Sequence, residues 1–191
     1  MGQITEKKIV NAIKYFVRNT NNIGLTKLFK LLYFLDLMYF KKHGLKVTLL
    51  DYFTYDFGPV PAELYKQISS ENLPDFITKE IKFTKEPDDD ELKNPRYKII
   101  LKNPKIDMSC FTPYERKILE EVSYIYKDVD ANLITEISHF KNQPWDLTKK
   151  NKGMYKLIDF ELAIDEESTM DIEEIREYIT LQKELKINGR I

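Results

Sequence analysis

Apolar residues recur at every third or fourth position along much of this chain, and the clearest stripe of this kind lies within residues 26–43. Its members are Leu28, Leu31, Leu32, Leu35, Met38 and Tyr39. This spacing places them on one wide face of an α-helix. The basic residues Lys41, Lys42 and His43 suit the negative end of the helix dipole, where a protonated imidazole is favoured. Gly44 then supplies the left-handed conformation that ends many helices, so we predict a buried helix over residues 26–43.

A strand rich in aromatic residues and a corner rich in proline follow this helix. Residues 51–57 have the composition of a β-strand. Gly58 permits a tight bend, and Pro59 and Pro61 push the residues before them towards extended conformations. Pro61 also suits the first position of a helix, which would carry Leu64 and Tyr65 on its buried face. We therefore predict a strand, a rigid corner at Gly58–Pro61 and a short helix.

The remaining apolar patterns predict further helices and several short strands. We expect helices that begin near Thr5, Thr112, Asp130 and Asp171, and strands over residues 76–83, 96–102 and 157–164. The acidic segment at about 86–95, which includes residues 88–91, has too much charge to pack and is predicted to be a solvated hairpin loop. The last helix is expected to cover about 171–187. The fold class is therefore predicted to be α+β, a predominantly helical single domain over residues 1–191 with a small antiparallel sheet or hairpin.

The charge of the chain is balanced as a whole but uneven along its length. The formal net charge is −1, although 32% of the residues are charged. Residues 1–70 contain ten Lys and Arg against five Asp and Glu, whereas residues 111–191 contain twelve against seventeen. Two interpretations remain open: ordinary solvated faces, or two ends that address differently charged surfaces.

The inventory of chemically active residues is small. Cys110 is the single cysteine and His43 and His139 are the two histidines, far apart in the sequence. We expect His139 to be a packed, hydrogen-bonded side chain, and nothing in the sequence pairs it with Cys110 as a catalytic dyad. No metal-ligand spacing or phosphate-binding glycine pattern is present, so we predict no enzyme activity, no metal and no cofactor. The lone cysteine, together with the lack of a leader or membrane-spanning run, predicts a cytoplasmic protein that is not associated with membranes.

Nucleic-acid binding is the main alternative that the residues suggest. The N-terminal helices and a hairpin could form a winged-helix-like regulator with lysines on its surface, namely Lys27, Lys30, Lys41, Lys42 and Lys46. Base recognition relies on clustered arginine, asparagine and glutamine, however, and the arginines here are scattered at positions 18, 96, 116, 176 and 190. The sequence therefore favours a protein partner over specific nucleic acid.

The proline corner has two interpretations. It can be a rigid connection only, or it can also display a preorganised aromatic contact surface. Twelve tyrosines are more than one core readily satisfies, because each buried hydroxyl needs a partner, and this favours the contact surface. The candidate partner-binding residues are Tyr52, Phe57, Gly58, Pro59, Val60, Tyr65 and Trp145.

The motif core at about 25–65 contains Lys-Leu-Leu-Tyr-Phe at residues 30–34 with Asp36, and Phe-Gly-Pro-Val-Pro at residues 57–61. On these motifs the chain resembles the Panacea domain, the SocA-like antitoxin family. The resemblance continues in a Ser-His block at residues 137–140 and in Pro-Trp at residues 144–145. Phe57 and the acidic insertion depart from the family pattern, and the insertion could alter which partner is accepted.

The resemblance implies an antitoxin, or a prophage-borne relative of one, that neutralises a cognate toxin by direct binding. It also implies that the toxin is encoded by the adjacent gene. The alternatives that remain open are a DNA-binding regulator and an adaptor that delivers a partner protein to a protease.

Overall fold

The computed structural model describes residues 2–86, 96–166 and 168–187, and helices dominate this part of the chain. The helices are α1 (Gln3–Asn19), α2 (Leu25–His43), α3 (Ala62–Ser69), α4 (Asp75–Thr78), α5 (Pro113–Ile125), α6 (Ala131–Ser138), α7 (Pro144–Lys152) and α8 (Ile172–Ile187). The strands are β1 (Tyr52–Tyr55), β2 (Gly58–Pro61), β3 (Ile81–Lys85) and β4 (Tyr97–Leu101), and 3₁₀ turns cover Met108–Cys110 and Phe160–Ala163. The predicted α+β class is confirmed. The predicted acidic loop around residues 88–91 lies outside the described residues.

Helix α2 is the centre of the core. It contacts α1, α5, α6 and β2, and Leu28, Leu31, Leu32 and Leu35 are completely buried. The predicted helix is confirmed, and Gly44 ends it in the left-handed conformation, with a φ of 65°. The apolar stripe suggested one buried face, but neighbours surround the helix on all sides, so several of its charged side chains are buried as well.

The proline corner predicted at Gly58–Pro61 is a strand instead of a bend. β1 and β2 form an antiparallel hairpin in which Tyr55 pairs with Gly58 and Tyr52 pairs with Pro61, and the chain turns at residues 56–57. β2 has a single neighbouring strand, so the missing N–H groups of its two prolines can face away from the ladder. Helix α3 begins at Ala62, with Pro61 just before it.

The second hairpin and the C-terminal part required two further corrections. Strand β3 begins only at Ile81, because the helical turn α4 occupies most of the predicted strand's first half. In the predicted strand at 157–164, only Leu157 pairs, through an isolated bridge with Phe53. A 3₁₀ turn follows, because the Asp159 side chain accepts from the Glu161 amide, 3.1 Å away.

Helix starts were predicted more accurately than strands. Thr112 and Glu115 form the expected capping box at α5, and Asp130 caps α6 by accepting from the amides of Asn132 and Leu133. The final helix is Ile172–Ile187, and Ile175 is completely buried. The side chain of Ile179, which shares the predicted stripe, lies outside the described residues.

Candidate protein-binding groove

A groove of about 680 Å³ opens where the β1–β2 turn meets the helices α2, α3 and α6. We call it the aromatic groove. It is lined by Leu25, Thr26, Phe29, Lys30, Tyr55, Asp56, Phe57, Val60, Tyr65, Ala131, Asn132, Thr135, Glu136 and Tyr155. Most of these residues come from the motif core or from α6, so segments that are distant in sequence form one surface.

Packed rings form one wall of the aromatic groove. The Tyr65 ring meets Phe29 edge-to-face at 6.0 Å, and Tyr55 meets Tyr155 in the same way at 5.2 Å between centroids. Edge-to-face contacts of this kind hold aromatic rings in fixed orientations. Phe57 stands at the tip of the turn and is 56% exposed, and Tyr155 is 59% exposed. The wall therefore combines anchored rings with two rings that are open to a partner.

Tyr155 is held at the rim in an uncommon backbone conformation. Its φ is 58°, in the left-handed region that is costly for a residue with a side chain. Its amide donates to the Thr54 carbonyl at 2.7 Å, and its hydroxyl donates to Asp56 Oδ2 at 3.2 Å. This hydrogen bond and the charge of Asp56 raise the pKa of Tyr155. A strained backbone conformation such as that of Tyr155 is often found at functional surfaces.

Two exposed carboxylates, Asp56 and Glu136, and one buried amine, Lys30, are the charged groups of the groove lining. Lys30 is 1% exposed and donates to the Pro59 carbonyl, 2.9 Å from its Nζ. Burial lowers the pKa of Lys30 to about 7, because an ammonium is poorly solvated there. The lining that faces solvent is therefore aromatic and acidic.

The three family-like motifs of the sequence meet at Gly58. A Cβ atom added to this glycine would lie 2.6 Å from Ser138 Oγ, 2.9 Å from His139 Nε2 and 2.9 Å from Lys30 Cε. Its φ is 87°, a second reason why only glycine fits. The lysine motif, the glycine-proline corner and the Ser-His block were three separate signals in the sequence, and the fold packs them against one another.

This polar cluster has the contacts of a packing site. Ser138 Oγ donates to the Thr135 carbonyl at 2.7 Å, whereas an activated serine would donate to a basic group. The His139 ring stacks on Trp145 with centroids 3.9 Å apart. Burial, and then the nearby Lys30 and Lys149, lower the pKa of His139, which favours the neutral ring.

We expected His139 to be hydrogen-bonded, but its Nε2 atom makes no hydrogen bond to another described residue. His139 Nε2 and Trp145 Nε1 are buried, and neither has a partner among the described residues. Cys110 lies elsewhere and donates to the Asp107 carbonyl, so the structure brings no Cys–His dyad together. His43 also differs from expectation, because burial and Lys42 lower its pKa where a protonated imidazole was predicted at the end of α2.

Tyr52 and Asp36 belong to the core beneath this region. Asp36 is completely buried and accepts from the Thr48 amide at 2.8 Å, from the Thr48 hydroxyl and from Tyr52 Oη at 2.9 Å. Burial raises the pKa of Asp36, although these hydrogen bonds oppose the rise. The cluster joins α2 to the segment that leads into β1, so it positions the hairpin.

The candidate partner-binding residues divide into two groups. Phe57, Val60 and Tyr65 line the aromatic groove. Tyr52, Gly58, Pro59 and Trp145 are buried outside its lining, and Tyr52 has no exposed surface to offer a partner. Sequence reasoning missed Asp56, Glu136 and Tyr155. Asp56 was detectable as the neighbour of Phe57, whereas nothing in the local sequence connects Tyr155 to this site.

The five lysines considered for DNA binding are buried or paired with acidic side chains. Lys27 and Lys30 are buried, and Lys27 donates to the carbonyls of Asn21 and Lys127. The other three lysines are in ion pairs: Lys41 with Asp165, Lys42 with Glu121 and Lys46 with Asp51. The basic character of the N-terminal segment is therefore largely used inside the fold.

Two further features are absent from the described part of the chain. It contains no group of three His, Cys, Asp or Glu side chains that could hold a metal ion. It also contains no helix with the length and apolarity needed to cross a membrane.

Comparison with known proteins identifies the family. The family model described as "Antitoxin SocA-like, Panacea domain" matches residues 28–146, which is more than half of the 191-residue chain. Searches of curated proteins and of solved structures returned no match. The matched region includes most of α2, both hairpins, α5 and α6, and it supplies most of the groove lining. This chain therefore belongs to the SocA-like antitoxin family with a Panacea domain.

Proposed function

We propose that this protein is an antitoxin that neutralises a cognate protein toxin by binding it directly through the aromatic groove. The observation that carries the proposal is that the family match and the groove coincide, since eleven of the fourteen lining residues lie between residues 28 and 146. The proposed mode of action is steric: the bound antitoxin covers the surface that the toxin uses.

The composition of the groove supports a protein ligand. Aromatic side chains are frequent anchors of protein interfaces, because they bury a large area at a small cost in conformational entropy. Phe57 and Tyr155 are exposed at the rim, and edge-to-face packing restricts Tyr155 against Tyr55 and Tyr65 against Phe29. Such a wall is largely preorganised for a partner.

Co-expression tests the function itself. We expect the product of the neighbouring gene to arrest growth when it is expressed alone, and this protein to restore growth through a stable complex. Size-exclusion chromatography and pull-down measure the complex. Rescue without any detectable association would contradict direct neutralisation and favour an indirect mechanism.

Substitution of Phe57 tests the surface. Phe57→Ala should weaken toxin binding at least tenfold with little change in melting temperature, because the side chain is exposed in the free protein. Tyr124→Ala is the matched control, since Tyr124 is 84% exposed on α5, which contributes nothing to the groove. Equal effects of the two variants on binding would argue against the groove.

A further inference from the structure

The hydrogen-bonding groups at the rim of the aromatic groove are unequally occupied. Two of its donors are used within the protein: the Lys30 amine by the Pro59 carbonyl and the Tyr155 hydroxyl by Asp56. Two amides at the start of α6 donate to the Asp130 carboxylate. These donors are therefore not available to a ligand.

Three of the four oxygens of the groove's two carboxylates, by contrast, have no partner in the described part of the chain. Glu136 is exposed on α6, and its carboxylate makes no hydrogen bond or ion pair with another described residue. Asp56 is exposed at the turn and accepts from Tyr155 through Oδ2, while its Oδ1 has no partner in the described part of the chain. The exposed rings of Phe57 and Tyr155 belong to the same lining as these carboxylates, and Tyr155 contacts Asp56 directly.

An arginine side chain has the chemistry that this combination recognises. Its guanidinium is a planar cation with five donors, it pairs with carboxylates in a bidentate manner, and it stacks on aromatic rings. A lysine ammonium would satisfy the charge but not the planar stacking. An acidic ligand would meet two uncompensated carboxylates, and like charges brought together at an interface are costly.

We propose that the aromatic groove accepts an arginine-bearing, partly apolar segment of the toxin, with the guanidinium between Asp56 and Glu136 and against the rings of Phe57 or Tyr155. This inference rests on the proposed function and specifies the partner chemistry at the same site. The apolar residues that flank the arginine would contact Tyr55, Val60 and Tyr65.

The first experiment measures the binding of the neighbouring gene's product to three forms of the full-length protein. The double variant Asp56→Asn, Glu136→Gln removes both charges and keeps the side-chain shapes. Glu120→Gln is the control, because Glu120 is an exposed carboxylate on α5, outside the groove. We expect the double variant to bind at least tenfold more weakly than the wild type and to show a smaller loss of affinity as salt is raised from 50 to 300 mM. The control should differ from the wild type by less than twofold.

The second experiment identifies the segment. A photo-crosslinking amino acid at position 57 should attach to a toxin peptide that contains an arginine, and changing that arginine to glutamine should weaken binding of the wild-type antitoxin but not of the double variant. A crosslinked peptide without an arginine would overturn the proposal. The proposal would also be overturned if the wild type rescues growth but the toxin binds the double variant as tightly as the wild type, or more tightly. In that case the antitoxin function would stand. If the wild type forms no complex, the proposed function fails and the inference fails with it.

Discussion

Two charged residues below the groove, Lys30 and Asp36, show how the surroundings of a side chain determine its protonation. Lys30 and Asp36 both lie on α2 and are almost completely buried, yet their surroundings differ. Asp36 accepts hydrogen bonds from two residues, Thr48 and Tyr52, whereas the Lys30 amine donates to a single carbonyl. A buried charge with so little compensation tends to lose its proton, so the low pKa of Lys30 follows from its position.

Gly58 provides the first residue-scale prediction. Gly58→Ala should lower the free energy of unfolding by about 2–5 kcal/mol, because a left-handed φ is costly for alanine and the added Cβ would overlap three side chains. Gly24→Ala is the control, since a Cβ there meets nothing within 4 Å and the φ is −106°. Chemical denaturation of both variants measures the difference. A Gly58 variant as stable as the control would show that the cluster around Gly58 adjusts freely.

Lys30 provides a prediction about pH. Its pKa is about 7 in the folded protein and lies near the ordinary value of 10.5 when unfolded, so between these values the unfolded chain holds the proton. Raising the pH through this window therefore stabilises the folded state, and lowering it towards 7 removes that stability. The methionine of Lys30→Met cannot titrate. Between pH 7 and pH 9 the unfolding free energy of the wild type should therefore rise by on the order of 2 kcal/mol relative to that of this variant.

Urea denaturation at several pH values measures the slopes. The comparison uses the slope of unfolding free energy against pH. The hydrogen bond that methionine cannot make lowers the variant's stability by the same amount at every pH, so it does not change this slope. Parallel curves for the wild type and Lys30→Met would mean that the Lys30 ammonium keeps its charge in the folded protein.

At the scale of elements, α2 organises the molecule. Its apolar residues are buried around the whole helix, and its two ends lie beside the aromatic groove and the Gly44 turn. Such a helix depends on tertiary contacts, because its buried lysines and aspartate would be better solvated in isolation. The packing of α2 against α6 and β2 therefore determines the geometry of the groove.

Leucine substitutions test this role of α2. Leu32→Ala should cost about 2–5 kcal/mol in unfolding free energy, because the side chain is completely buried and the surrounding helices cannot collapse fully into the cavity. Leu133→Ala on α6 should change stability by less than about 0.5 kcal/mol, since Leu133 is 47% exposed. Thermal denaturation of both proteins provides the measurement, and similar melting temperatures would contradict a core centred on α2.

Across the whole molecule, the basic N-terminal segment and the acidic C-terminal segment form ion pairs with each other. Lysines from the N-terminal half pair with acids from the C-terminal half: Lys8 with Glu115 at 2.6 Å, Lys41 with Asp165 at 2.7 Å and Lys42 with Glu121 at 3.8 Å. These pairs connect α1 and α2 to α5 and to the segment after the 3₁₀ turn. Neither of the interpretations left open by the sequence included this internal pairing, which requires knowledge of which helices are neighbours.

This pairing leads to a prediction about nucleic acid. Purified protein should bind duplex DNA with a Kd on the order of 10⁻⁴–10⁻⁶ M at physiological salt, the range of non-specific binding, because the lysines proposed for contact are buried or paired. Fluorescence anisotropy with DNA from upstream of its own gene, and with a scrambled duplex as control, measures the affinity. Nanomolar binding that distinguishes the two duplexes would instead support the regulator.

The sequence by itself determined the fold class, the central helix and most helix starts, because apolar periodicity and capping residues act over one or two turns of the chain. It also determined the family, through motifs that are short and contiguous. Only the tertiary structure decided that Gly58–Pro61 is a strand, that Tyr52 and Trp145 are buried, and that Tyr155 joins Asp56 and Glu136 at one groove. The strand depends on pairing with the neighbouring segment Tyr52–Tyr55. The other outcomes depend on contacts between residues that are far apart in sequence, and local preference does not determine which distant segments will meet.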